Sequence, residues 1–399
     1  MEIEELYQTS ERLVDNVATD IHRYFYDRLE WNLPMLCIKG AKGIGKSTAF
    51  WQYMKEHFKG DEAVYLSLDN IWFSEHRLIE LANYHYQRGG THLFIDEVHR
   101  YPYKNWMQEL KNINDSYPNL HIAFTGSSLL KIDKSMADLS RRCIFYDIQG
   151  LSFREYLRFE GIADFPAYSL DDILNNHLEI AHQVNAQIKP LKHFNNFLYT
   201  GYYPYYKQHP RTYYAAIQQT VSAIIDDDLR TVEEVETITI KKVKRLLYIL
   251  SQMIPYSPNI TKLGQSIEAT RNQTARILLL LEKAALINNL YAERNDMSQL
   301  TKPEKVYMEN TNLMHALSAN VDKGNDRETF FANQLKEKHD ITFSGQGDFL
   351  IDGRYTIEVG GKNKTFDQIK DIPNSYIASD DIEYGHGNRI PLWLFGFLY

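Results

Sequence analysis

The sequence predicts an α/β protein: a mostly parallel sheet with flanking helices, then a helical stretch, then a smaller α+β region. Three observations carry this. Over the first 150 residues, short apolar runs alternate with helical patterns. After about residue 152 the strand signals stop. They return in the last hundred residues, where Asp352-Gly353 separates two alternating runs at 348–359.

Each element follows from its own pattern. Residues 1–30 place Leu6, Leu13, Val17, Ile21, Phe25 and Leu29 at helical spacing, which predicts one or two helices. Met35–Gly40 (MLCIKG) is a continuous apolar run closed by glycine, as a strand buried on both faces reads. Ala63–Leu68, His92–Ile95, His121–Phe124 and Cys143–Ile148 read alike, and their alternation with helical patterns requires a parallel sheet with helical crossovers. Residues 153–235 predict helices, with a loop at Thr200–Pro204 and an acidic run at Asp226–Asp228. Joints are expected near 150, 235 and 300.

Composition narrows the function. With 399 residues and 44% hydrophobic content, the chain can bury more than one core. Forty-four basic residues against 52 acidic give a net charge of −8, which excludes non-specific coating of nucleic acid by the whole surface. Two cysteines, Cys37 and Cys143, make no disulfide framework and fit a reducing cytosol. The acidic start MEIEEL is unlike a signal peptide, and no run reaches membrane-spanning length, so a cytoplasmic protein without a membrane partner is expected.

The densest chemistry lies at Gly40-Ala41-Lys42-Gly43-Ile44-Gly45-Lys46-Ser47, which matches GxxxxGK[ST] directly after a predicted strand and before a helical stretch from Thr48. Glycines let the backbone curl so that its N–H groups point at phosphates, aided by the following helix N-terminus. Lys46 should reach the β- and γ-phosphates, and Ser47 should ligate Mg²⁺. His92–Ile95 then delivers Asp96 to the Mg²⁺ shell and Glu97 to an attacking water as general base. Thr125 or Ser127, after the next strand, is expected to sense the γ-phosphate. Arg141 and Arg142 precede the last strand and could supply a cation to it, in cis or from a neighbouring subunit. No [NT]KxD base-reading motif occurs, so ATP is expected rather than GTP.

In this order the loop (Walker A), the Leu93–His99 strand end (Walker B), Phe124–Leu130 and the arginine pair resemble an AAA+ superfamily ATPase. With Leu151–Tyr156 and the EVGGK phrase at Glu358–Lys362, the chain resembles more narrowly a prokaryotic group of such ATPases. In that group a winged-helix region and a nuclease-like C-terminal domain follow the ATPase. The resemblance implies a P-loop AAA+ core at 1–150, a helical lid at 151–235, a winged-helix region at 236–300 and a PD-(D/E)xK-like α+β domain at 301–399. It also implies that Lys46 and Ser47 bind phosphate and Mg²⁺, that Asp96 binds Mg²⁺, that Glu97 is the base, and that the arginine finger is Arg141 or Arg142. The expected function is ATP hydrolysis driving conformational change in the C-terminal modules. The alternatives are a DNA-associated ATPase or nuclease, and a nucleotide-gated signalling or defence switch holding a protein partner. A homo-oligomer fits an arginine acting in trans.

Two later regions bear on partners. Thr261–Ile267, a turn, and Asn272–Ala284 have the cadence of a helix-turn-helix, with Thr270 as N-cap and Arg271, Asn272, Gln273 and Arg276 on the early turns. From Lys241 to Lys283 eight basic residues face two acids, a local +6, as contact with duplex DNA phosphates requires. Further on, Glu328 on a helix, Asp348 opening one strand and Glu358 on the next outline a nuclease core. A two-residue Asp352-Gly353 turn would send Asp348 and Glu358 to opposite faces. A three-residue loop including Arg354 would set them directly across from each other, and that register is expected. Gly360 stands where the nuclease lysine belongs, and Lys362 and Lys364, further along, lack the expected alternation. No competent lysine beside the acids, and no cutting activity, is therefore expected; a Lys362 or Lys364 amine on the Asp348–Glu358 pair would revive the cutting reading.

Overall fold

Strands that are apolar on both faces must be covered on both sides, and the runs at 35–40, 63–67, 92–96 and 121–126 largely are. Ile144–Asp147, expected to read alike, is instead a largely uncovered strand at the sheet edge. The computed structural model describes residues 2–103, 105–127, 139, 141–230, 236–253, 257–292 and 302–399. They divide into two compact units, Met1–Gln149 with Asp227–Glu234, and Gly150–Asp226 with Val235–Tyr399. The joints expected near 235 and 300 lie outside the described residues, as do Ser128–Leu130 and the Ser127 side chain.

The first unit contains α1 (Ile3–Asn16), β1 (Met35–Gly40), α2 (Lys46–His57), β2 (Ala63–Ser67), α3 (Leu78–Gln87), β3 (His92–Asp96), α4 (Trp106–Ser116), β4 (His121–Ser127) and β5 (Ile144–Asp147). The sheet order is β2-β3-β4-β1-β5, parallel throughout. β1 therefore lies between β4 and β5, while β2, next in sequence, is at the far edge. The loop leaving β1 opens where the connectivity reverses, the place at which α/β sheets bind ligands.

Side-chain alternation divides the core. Met35, Cys37, Leu93, Ile95, Ile122 and Phe124 join Leu78, Leu81, Leu110 and Ile113 in one buried cluster. Phe94 points the other way, edge-on to Phe50 at 5.2 Å between centroids. Cys37 and Cys143 are free and buried, and burial pushes both thiols up, which keeps them protonated. Only half of the N-terminal helical pattern forms a helix. Beyond Asn16 the chain is irregular apart from a 3₁₀ turn at Tyr26–Arg28. Its apolar spacing there serves packing instead: Trp31 donates to the Tyr26 carbonyl at 3.1 Å and stacks on Tyr53 at 4.2 Å.

The second unit begins with α5 (Phe153–Phe159), α6 (Leu170–Asn185), α7 (Pro190–Thr200) and α8 (Tyr213–Ala223), followed by a π-helical turn, Ile224–Asp228. Then come α9 (Thr237–Ser251), α10 (Ile260–Ser266) and α11 (Arg271–Lys283), and an antiparallel pair, β6 (Ile287–Leu290) with β7 (Lys305–Met308). After α12 (Thr311–Leu317) and α13 (Lys323–Leu335), strands β8 (Ile341–Phe343), β9 (Phe349–Ile351), β10 (Tyr355–Gly360), β11 (Ser375–Ser379) and β12 (Arg389–Pro391) form a mixed sheet in the order β12-β11-β10-β9-β8.

Two histidines, His85 buried and His92 half-buried, give the first unit an acid weakness. Tyr7 donates to His85 Nδ1 at 2.8 Å, and His85 Nε2 meets the His92 carbonyl at 3.1 Å, so the neutral ring uses both nitrogens. Burial lowers the His85 pKa to about 4; burial and then the His121 and His85 charges lower that of His92 to about 4. A base with a depressed folded pKa leaves the unfolded chain binding protons first. Stability is then complete above about 6.5 and lost as pH falls toward about 4. The unfolding free energy from urea titrations followed by tryptophan fluorescence should fall between pH 7 and 5, by roughly 1–2 kcal/mol per histidine. Replacing both by Gln should flatten that slope; an unchanged slope would place the acid sensitivity elsewhere.

Candidate functional site

The loop after β1 is shaped by glycine. Gly43 (φ 84°) and Gly45 (φ 98°) adopt left-handed backbone that a side chain would strain, and α2 starts at Lys46 immediately afterwards. Ile44 is fully buried beneath the loop, whereas Gly43 and Thr48 are exposed. The Lys46 amine donates to the Gly40 and Ala41 carbonyls at 2.9 and 2.8 Å. Burial lowers its pKa, against the opposing pull of Glu97 and Asp96. Arg23 braces the loop from outside the motif, donating to the Ile44 carbonyl and, at 2.9 Å, to that of Gln149.

Asp96, at the end of β3, gathers the site. Its Oδ2 accepts from Ser47 Oγ at 2.5 Å and from the Tyr65 phenol at 2.7 Å. Its Oδ1 accepts from Thr125 Oγ1 and, at 3.1 Å, from the Glu97 backbone N–H. Burial and the Asp96 charge hold the Tyr65 phenol far above its ordinary pKa, so it stays a donor. Paired hard oxygens from Ser47 and Asp96 suit Mg²⁺, which takes one or two carboxylates and leaves its other positions to water and phosphate.

Glu97 follows with left-handed backbone (φ 56°, ψ 44°). Its Oε2 lies 3.2 Å from His99 Nε2 and 3.5 Å from Arg100 Nε. Arg100 in turn donates to Asp228 Oδ1 at 2.7 Å, and His99 Nε2 lies 3.6 Å from the same oxygen. Burial alone would raise the Asp228 pKa. The neighbouring His99, Arg100 and Lys42 side chains outweigh burial and keep it below the ordinary value.

Lys46, Ser47, Asp96, Glu97 and Thr125 thus come together as the sequence implies. Ser127 ends β4 with its backbone opposite Gly40. Arg142 pairs with Asp115 on α4 at 2.8 Å, and Arg141 is exposed. Sequence reasoning missed Arg23, Tyr65, His99, Arg100 and Asp228. A tyrosine in an otherwise aliphatic strand and the Asp226–Asp228 run were the available signals.

A second exposed group lies on α11. Thr270 and Gln273 cap it reciprocally, at 3.3 and 3.0 Å. Arg271, Asn272, Gln273 and Arg276 are all exposed on its first turns. Three of the nearby cations are engaged locally: Lys242 and Arg245 by Glu268, and Lys244 by Asp226.

The C-terminal acids hold one surprise. Ile351 pairs with Tyr355 and Phe349 with Ile357, the three-residue-loop register; the ladder stops there, and Asp348 donates its backbone N–H to the Ile357 carbonyl at 3.2 Å. The expectation of no lysine beside them is wrong. Lys364 forms an ion pair with Glu358, and Lys305 on β7 lies 2.9 Å from Asp348 and 3.3 Å from Glu328. Gly360 is the reason for the first. A Cβ there would sit 2.8 Å from Lys364 Cβ, so the missing side chain is the space across which Lys364 folds back. Tyr307, two residues beyond Lys305, donates to Glu328 at 2.8 Å. Burial works against the Lys305 ammonium, but Asp348 and Glu328 prevail and raise its pKa; burial raises those of Glu328 and Glu358. An ammonium already bridges two of the acids, and among the described residues no group of three His, Cys, Asp or Glu is arranged to hold a metal ion.

Comparison with known proteins agrees on the core. Residues 32–157 match the AAA domain family, and residues 191–324 match a domain of unknown function (DUF8612). The uncharacterized protein MJ1637 of Methanocaldococcus jannaschii is 25% identical, over 91% of this chain and 84% of its own. Among solved structures, Thermotoga maritima RuvB is similar at TM-score 0.27 and 15% identity, covering 72% of this chain and 90% of its own. AMPPCP-bound DnaA from Aquifex aeolicus is similar at TM-score 0.26 and 14% identity, covering 69% and 87%.

Lys305→Met should expose the cost of the C-terminal acids, because Glu328 and Asp348 would lose the cation between them. Breaking such a pair costs about 3–5 kcal/mol, read as a lowered thermal midpoint. Adding Glu328→Gln should recover part of the loss. A Lys305→Met midpoint equal to wild type would show that the bridge contributes nothing.

Proposed function

Starting from an AAA domain over residues 32–157, with a five-stranded parallel sheet that carries the phosphate-binding loop, we propose that this protein binds ATP with Mg²⁺ and hydrolyses it. The observation that carries the proposal is the convergence on Asp96 of Ser47 from the loop, Tyr65 from β2 and Thr125 from β4, with Glu97 one residue on. The loop N–H groups and Lys46 bind the phosphates, the lysine exchanging its loop carbonyls for phosphate oxygens. Ser47 and Asp96 hold Mg²⁺, which neutralises phosphate charge when bound. Glu97 orients and deprotonates the attacking water. Thr125, fully buried on Asp96, fixes the acid rather than reading the γ-phosphate, which leaves that role to Ser127. Arg141 is the better arginine-finger candidate, since Arg142 is held by Asp115. Nucleotide turnover then changes the conformation of the helical, winged-helix and nuclease-like modules that follow.

A second reading, duplex contact through the α11 face, is supported by the exposure of Arg271, Asn272, Gln273 and Arg276 on a capped helix start. No described helix is long and apolar enough to cross a membrane.

Glu97→Gln should retain ATP affinity and lower hydrolysis by at least ~10²-fold, since binding uses the loop while turnover needs an oriented water. Lys46→Ala should lose binding itself. Wild-type turnover by Glu97→Gln would remove the base assignment. For duplex contact, replacing Arg271 and Arg276 together should flatten the salt dependence of binding by about two, near one per phosphate. An unaltered slope would leave this helix a packing element.

A further inference from the structure

The geometry points to Asp228 as a positioning residue for Glu97, acting through His99 and Arg100. This rests on the proposed role of Glu97 as base. Glu97 stands on left-handed backbone at a strand end, a placement that does not fix where its carboxylate points. The side chain is one-fifth exposed and touches two basic side chains of its own turn, His99 at 3.2 Å and Arg100 at 3.5 Å. Neither contact is short, so the carboxylate is steered without being fully consumed, as a group that must also hold a water requires.

Those two side chains need an anchor of their own. Arg100 is partly exposed and would otherwise be free to swing, and the His99 side chain is only 1% exposed. Asp228, 2% exposed, supplies the anchor: one oxygen takes Arg100 at 2.7 Å and lies 3.6 Å from His99. It comes from 128 residues further along the chain, at the end of the π-helical turn Ile224–Asp228. Asp227–Glu234 belongs to the same compact unit as Glu97. The chain returns to the core here and places a buried carboxylate behind the turn that carries the base. Without Asp228, Arg100 has Glu97 as its nearest acid and would draw the carboxylate into a closed ion pair.

The test is a double-mutant cycle on the full-length chain with ATP and Mg²⁺. Asp228→Asn keeps shape and removes charge, and should lower kcat about 10-fold or more while KM for ATP stays within about twofold. In a Glu97→Gln background the same substitution should change residual turnover by less than about twofold, because the residue it acts on is gone. A structural role would instead depress both backgrounds alike, which would overturn the inference. If Asp228→Asn does not fold, Arg100→Gln, at a partly exposed position, should give the same fall in kcat and the same non-additivity. Unchanged turnover in Arg100→Gln would overturn the inference equally. A Glu97→Gln protein as active as wild type would instead refute the base assignment, and so separates that failure from this one.

Discussion

The Asp96 carboxylate is the point at which the core is tied together. Four donors reach its two oxygens, from the loop–helix junction, from β2, from β4 and from the backbone of Glu97. A buried carboxylate is costly unless its lone pairs are used, and here they are used by residues on three different elements. Satisfying one acid therefore sets the relative positions of β2, β3, β4 and the phosphate-binding loop. The sheet order serves the same end. By lying between β4 and β5, β1 brings its loop beside the strand ends that carry Thr125 and Asp96.

What could be read in advance divides along the chain. The strands were legible because each is a continuous apolar run, and the loop because its eight residues are adjacent. Asp96 and Glu97 were legible because they close a strand. Tyr65, Arg23 and Asp228 were not, since what brings them to the site is a partner distant in sequence. Tyr65 meets Asp96 across 31 residues, and Arg100 meets Asp228 across 128. The helical spacing before β1 misled for a related reason. The apolar positions at Phe25 and Leu29 are buried, but in a segment that carries Arg23 to the loop.

The two acid clusters solve the burial problem differently. In the first unit the acid is satisfied by neutral donors: two hydroxyls, a phenol and an amide. Such partners leave the negative charge in place, available to a cation. In the second unit Glu328, Asp348 and Glu358 are answered by the ammonium groups of Lys305 and Lys364. That answer consumes the charge. Both are low-energy arrangements, and only the first keeps its electrostatic attraction for a ligand.

The space above Gly360 also constrains how the second cluster can change over generations. A lysine at position 360, the usual place in a nuclease core, would collide with the side chain of Lys364 that now lies across it. Any side chain there requires Lys364 to move away, which strips Glu358 of its partner, so the glycine and the folded-back lysine are one arrangement and not two independent residues.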